Sequence, residues 1–206
     1  MKKITLLCAL LLFITMAFAN NVQVLGVSYN GSTHRVTFTL SWENSWDLTG
    51  GPAPGNHDAV WVFVKVQSGS EVWSHMNLST TSSSHTTGSS LMIAQPTAMN
   101  PTGILIKRSS VGYGNIDNNN TVTLQMNTTA VVSAIQVFAI EMVYITAGSF
   151  GVGNPNSTNP AAFLAATISS EALIPALGPL LVNTQDIPAA FPKGFKAFYV
   201  MKYEIS

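Results

Sequence analysis

Apolar and polar residues alternate along much of this chain, and the period is two, the period of a β-strand. Over residues 35–42, Val36, Phe38, Leu40 and Trp42 alternate with Thr37, Thr39 and Ser41, which predicts a half-buried strand. Residues 22–29 form a strand before it, and Asn30-Gly31-Ser32 supplies the turn that joins the two as a hairpin. Residues 121–126 alternate in the same way, with Val122, Leu124 and Met126 on the apolar side. Residues 59–66 are apolar on both faces, Val60, Val62 and Val64 on one and Trp61 and Phe63 on the other. That pattern predicts a central strand, its second face meeting a loop or the following domain. Further strands are expected at 71–78, 91–94, 103–107 and 134–145. The Gly- and Pro-rich stretch 44–57, the Ser/Thr-rich stretch 79–90 and the Asn-rich stretch 112–120 are expected as loops and turns. About eight short strands separated by turn signals predict a mainly β protein, a two-sheet β-sandwich of immunoglobulin-like architecture.

The first residues follow a different rule. Lys2 and Lys3 precede an almost wholly apolar run, and Ala17-Phe18-Ala19 closes it with an A-x-A cleavage site. About 15 apolar residues fall short of the roughly 20 that a spanning helix needs. Residues 1–19 are therefore expected to be a cleaved signal peptide of bacterial type. The mature chain is expected to be exported, to the periplasm, the cell surface or the medium, with no membrane attachment after cleavage. Cys8 lies inside this segment, behind the bulky Leu7 and too early for a lipoprotein signal. The mature chain then has no cysteine, so disulfides and thiolate metal sites are excluded and the core must hold the fold. Lys2 and Lys3 leave with the signal, so seven of the nine basic residues face nine acidic ones, a net charge of −2. No basic face results, and nucleic acid is not an expected partner.

Candidate chemistry is sparse. His57-Asp58 with Trp42, Trp46 and Trp61 is the densest group, and exposed indoles would offer a stacking surface for a sugar. The alternation places Trp42 with the core, so core packing is the first expectation and carbohydrate the weaker one. His34, His57, His75 and His85 are scattered, without metal-ligand spacing. Asp117 beside Asn118-Asn119-Asn120 has calcium-binding atoms, but an Asn-rich turn is the commoner meaning. Asn77-Leu78-Ser79 and Asn127-Thr128-Thr129 are glycosylation triplets that matter only in a glycosylating host. Gly148-Ser149-Phe150-Gly151 lacks the G-x-S-x-G spacing and an acid–base partner. Gly148, Gly151 and Gly153 are not followed by a helix, so they make no phosphate loop. No catalytic, cofactor-binding or metal residue is assigned.

At residue 141 a resemblance enters. EMVYITAGSFGVG (141–153) resembles the opening Met-Val-x-Ile-Pro-Gly-Gly-x-Phe-x-Met-Gly pattern of the formylglycine-generating enzyme, or sulfatase-modifying factor, family. Met142, Val143, Ile145, Gly148, Phe150 and Gly153 match, while Thr146 and Ala147 replace the Pro and first Gly. GFKAFYVMKYEIS (194–206) is similar to the family's second marker, an aromatic strand running into Glu-Val-Thr, through Phe198, Tyr199, Lys202, Tyr203, Glu204, Ile205 and Ser206. The markers stand in family order. The front part, with Asn44-Ser45-Trp46 and 57–65, is also similar to exported proteins of Bacteroidetes-type bacteria. The resemblance implies a β-sandwich at 20–140, then an incomplete start of a C-type-lectin-like α/β domain at 141–206. Within the latter, 154–192 is a loop insertion and 161–173 a helix-compatible stretch. Family members include copper-dependent formylglycine-forming oxidases, non-haem iron sulfoxide-forming enzymes and non-catalytic parts of secretion and gliding machinery. Their metal ligands or catalytic cysteines lie well beyond the second marker, so no cofactor and no site residue is carried to this chain. Copper, iron or calcium is expected only in a full-length member. The expectation is a fragment with a docking or structural role toward a protein or cell-envelope partner, its residues 154–206 loosely ordered. The alternative is the front end of a metal-dependent oxidase, and a carbohydrate-binding sandwich is the weakest.

Overall fold

The computed structural model describes residues 21–51, 55–69, 71–95, 102–153, 166–174 and 187–203. The expected signal peptide lies outside the described residues. The strands are β1 (Gln23–Asn30), β2 (Arg35–Asp47), β3 (Asp58–Gln67), β4 (Ser74–Met76), β5 (Leu91–Gln95), β6 (Ile104–Arg108), β7 (Gly112–Ile116), β8 (Thr121–Gln125), β9 (Ala134–Ile145), β10 (Phe150–Val152), β11 (Ala166–Ile168) and β12 (Phe198–Met201). No helix among the described residues is long and apolar enough to cross a membrane.

Two antiparallel sheets face each other across one core, the arrangement of a β-sandwich. In the first, β2 is central, with β1 on one side and β8 and then β7 along the other. In the second, the order is β12-β9-β3-β6-β5, with β4 beside β3 past the end of β6. The alternation of β2 delivers Val36, Phe38, Leu40 and Trp42 to the core, and β3 answers with Val60, Val62, Val64 and Val66. Val122 and Leu124 of β8 and Ile104 and Ile106 of β6 close the layer. At roughly 1.5–3 kcal/mol for each fully buried aliphatic or aromatic side chain, this layer dominates the stability.

Four local expectations are corrected. β2 runs past Trp42 to Asp47, because a register shift between Trp42 and Ser45, with Asn44 at φ 52°, turns the strand from β8 to β7. The loop after it therefore starts at Leu48 rather than at Asn44. The stretch 112–120 contains β7, whose two glycines pair with that extension of β2. Only Ser74–Met76 of the stretch 71–78 forms a strand, although Leu78 is buried and bridges to Met126. In the stretch 161–173 the described part holds β11, not a helix. Its β-branched Thr167 and Ile168 pair with β10.

Among the described residues, the outer face of β3 meets Phe138, His75 and Gly103. Phe63 stacks between Phe138 and His75, with centroids 5.1 and 5.6 Å away. Trp61 lies against Gly103, where an added Cβ would come within 2.7 Å of the indole. β9 is one unbroken strand through residue 141, paired with β3 as far as Val143 and with β12 from Met142 onward.

Candidate functional site

Polar and charged residues gather where β2, β3, β9 and β12 end together, on both faces of the second sheet. Paired residues share a face, so the register assigns each side chain to one of them. Asp58 opposes Val143, and Glu141 opposes Val60, which places both carboxylates on the core side. His57 follows as the neighbour of Tyr144, and Tyr199 pairs with Tyr144, which places these rings on the outer side. Asp47 bridges to His57 and so joins the end of the first sheet to the second.

On the core side, Asp58 is fully buried and accepts three hydrogen bonds. Trp42 Nε1–H donates at 2.6 Å, Ser45 Oγ–H at 2.9 Å and the Trp46 backbone N–H at 3.0 Å. Burial pushes its carboxyl above the usual range and the nearby Glu141 adds to this, against the three donors. Glu141 is itself buried and holds the Lys202 ammonium at 2.7 Å. That ammonium also lies 4.8 Å from the Trp46 ring centroid, within cation–π range.

On the outer side, Lys107 pairs with Asp47 at 2.6 Å. Burial alone would raise the Asp47 carboxyl, but Lys107 and the Thr49 hydroxyl and N–H together leave it below the usual range. His57 stacks on Tyr144 with centroids 4.7 Å apart, and its Nε2 meets the Tyr199 hydroxyl at 2.9 Å. Burial, helped by the Lys107 charge, lowers the His57 pKa to about 4, so the ring is neutral at neutral pH. Its buried Nδ1 has no hydrogen-bond partner among the described residues. Burial also raises Tyr199, to about 12, and it keeps its proton. Asp47 and Glu141 are ion-paired, Asp58 is held by three uncharged donors, and the cluster ties β2, β3, β6, β9 and β12 together.

A second fastening lies just before β12. Glu171 accepts from the backbone N–H groups of Lys193 at 2.7 Å, Phe195 at 2.8 Å and Lys196 at 3.1 Å. These bonds, that of Lys193 foremost, hold its carboxyl below the usual range.

Only part of the chemistry singled out in the sequence comes together. Trp42 is core, Trp46 is half-buried beneath Lys202, and Trp61 packs on Gly103, so the three indoles form no shared open platform. His34 bonds Tyr29, and His75 bonds the Thr102 carbonyl. His85 is buried, donating from Nε2 to Ser79 O and accepting at Nδ1 from the Gln125 N–H. Asp117 accepts from Asn119 N–H and the Asn120 side chain, which is the geometry of an Asx turn. Among the described residues no group of three or more His, Cys, Asp or Glu could hold a metal ion. Asp47, Lys107 and Tyr144 were not singled out at all, because their partners lie far away in sequence. One signal was available: Glu141 occupies the core parity of Ile135, Val137 and Ala139 in β9, an acid where the pattern calls for an apolar residue.

No family model matches the chain, and no curated protein and no solved structure matches it.

Proposed function

We propose that this chain is an exported, non-catalytic module. Its immunoglobulin-like β-sandwich would anchor and position a domain of the sulfatase-modifying type that begins near residue 141. One observation carries the reading: the two stretches that bear the family resemblance pair with each other. Phe198, Tyr199, Val200 and Met201 oppose Ile145, Tyr144, Val143 and Met142 in an unshifted antiparallel register. The same strands are tied to the sandwich by Tyr199–His57 and by the Lys202 ammonium over the Trp46 ring. The sandwich would thus serve as the base on which the second unit is built, and its role would be structural.

The gene itself supplies the test. If the reading frame continues through such a domain without metal-binding residues, and the mature protein recovered outside the cytoplasm begins at Asn20, the reading stands. A stop directly after Ser206 replaces it with a stand-alone β-sandwich of binding or structural role. A frame that runs into the family's cysteine pair or iron-binding histidines replaces it with the front end of a metal-dependent oxidase. An uncleaved protein found in the cytosol removes export.

A further inference from the structure

Asn-Gly occurs once in this chain, at Asn30-Gly31, where β1 turns into β2. Asparagine becomes aspartate without an enzyme when the next residue's backbone nitrogen attacks the side-chain Cγ. A following glycine favours the attack, because no side chain stands over that nitrogen. The turn prepares both reacting groups. Asn30 Oδ1 accepts three hydrogen bonds, from Ser32 N–H at 3.0 Å, Ser32 Oγ–H at 2.7 Å and Thr33 N–H at 3.2 Å. A side-chain oxygen that reaches the second and third residues ahead brings its amide over the residue between, which is Gly31. The Gly31 N–H donates to no group among the described residues, and Asn30 and Gly31 are both exposed to water. Asn120 offers the contrast. It is buried, and its Nδ2 is tied to Asp117.

We propose that Asn30 is a self-modification site, at which the folded turn converts the side-chain amide to a carboxylate. The Gly31 nitrogen gives its proton to water or hydroxide and bonds to Asn30 Cγ. The charge that develops on Oδ1 meets three donors already aimed at it, the principle of an oxyanion hole. The Cγ–Nδ2 bond then breaks, and Nδ2 leaves as ammonia with a proton from water. One water molecule opens the imide ring, so the balance is amide plus water to acid plus ammonia. Opening at Cγ restores an ordinary aspartyl peptide, and opening at the backbone carbonyl leaves an isoaspartyl link. The turn also suits the aspartyl product. The same three donors bind a carboxylate more strongly than an amide. Arg35 stands opposite residue 30 in the ladder, so the new charge faces a guanidinium across the strands.

Incubation of the mature chain at mildly alkaline pH, followed by intact mass and peptide mapping, tests this, with circular dichroism to confirm that each variant is folded. Asn30 is expected to convert in the folded protein at least as fast as in the same chain unfolded in guanidinium. Ser32→Ala removes the hydroxyl donor. It is expected to slow the folded protein by about threefold or more and to leave the unfolded rate unchanged. Gly31 has no positive φ, and an added Cβ would come no nearer than 3.7 Å to the Tyr29 ring, so Gly31→Ala keeps the turn. That variant is expected to block conversion. Asn30→Asp is expected to unfold at a Tm no lower than that of the wild type. An Asn30 that converts in guanidinium but stays an amide in the folded chain overturns the proposal. So does a folded rate that Ser32→Ala or Gly31→Ala leaves unchanged, or a lowered Tm of Asn30→Asp.

Discussion

β3 and β12 belong to one sheet, and both carry apolar residues at most positions, yet they are held by different forces. In β3 the residues Val60, Val62 and Val64 are completely buried because β2 and β8 face them across the core. In β12, Phe198, Val200 and Met201 remain more than two-fifths exposed. β12 is held instead by its ladder to β9 and by two side-chain contacts, Lys202 to Glu141 and Tyr199 to His57. Apolar composition makes a strand available for burial. Only an opposing layer completes the burial, and where that layer is missing, polar contacts decide whether the strand stays in place.

The largest effect should come from the covered side of this contrast. Phe38→Ala removes a fully buried ring from β2 and should destabilise the chain by about 3–5 kcal/mol in urea unfolding. A cost below about 1 kcal/mol would mean that the core does not govern stability. Asp58→Ala should follow at about 3 kcal/mol, because it strands three buried donors, Trp42 Nε1–H, Ser45 Oγ–H and Trp46 N–H. A near-neutral result would show that these groups find water instead.

The pH dependence sharpens the comparison at the latch. An imidazole whose pKa falls from 6.5 to about 4 on folding binds its proton more readily in the unfolded chain. Stability is thus expected to decline as the pH drops from about 6.5 toward 4. The raised carboxyl of Asp58 works in the opposite sense, so the informative quantity is the difference between wild type and His57→Gln. That difference should narrow across this window in Tm measurements, and a constant difference would remove His57 as its source. Tyr199→Phe deletes one hydrogen bond and should cost about 1 kcal/mol. Its effect should appear as faster amide exchange in β12 and its partner residues of β9, with the rest of the sandwich unchanged. The smallest effect belongs to the uncovered side: Phe198→Ser should change the unfolding free energy by no more than about 0.5 kcal/mol. A loss of 2 kcal/mol there would reveal a covering layer over β12.

The fold was legible where one face of a strand is buried and the other is wet. The stretches 35–42 and 121–126 are legible as strands from the alternation of apolar residues with Thr, Ser and Gln, since a period of two has a single geometric meaning, and 134–145 from its β-rich composition. β7 was not legible, because Gly112-Tyr113-Gly114 has turn composition and becomes a strand only when the bulged end of β2 comes to lie beside it. The end of β2 was hidden for the same reason, as Ser45 and Asp47 look like loop residues until Asp58 and Lys107 are placed against them.

The polar cluster divides in the same way. His57-Asp58 stood out as a pair in the sequence, and Glu141 breaks the apolar parity of β9. The ties that give these residues a role cross long stretches of chain, from Asp47 to Lys107, from His57 to Tyr199 and from Glu141 to Lys202. Local pattern fixes which face a side chain takes, because the pleat is a property of the strand itself. Which charge finds which partner depends on the order in which strands assemble into sheets, and that order was decided by the tertiary structure.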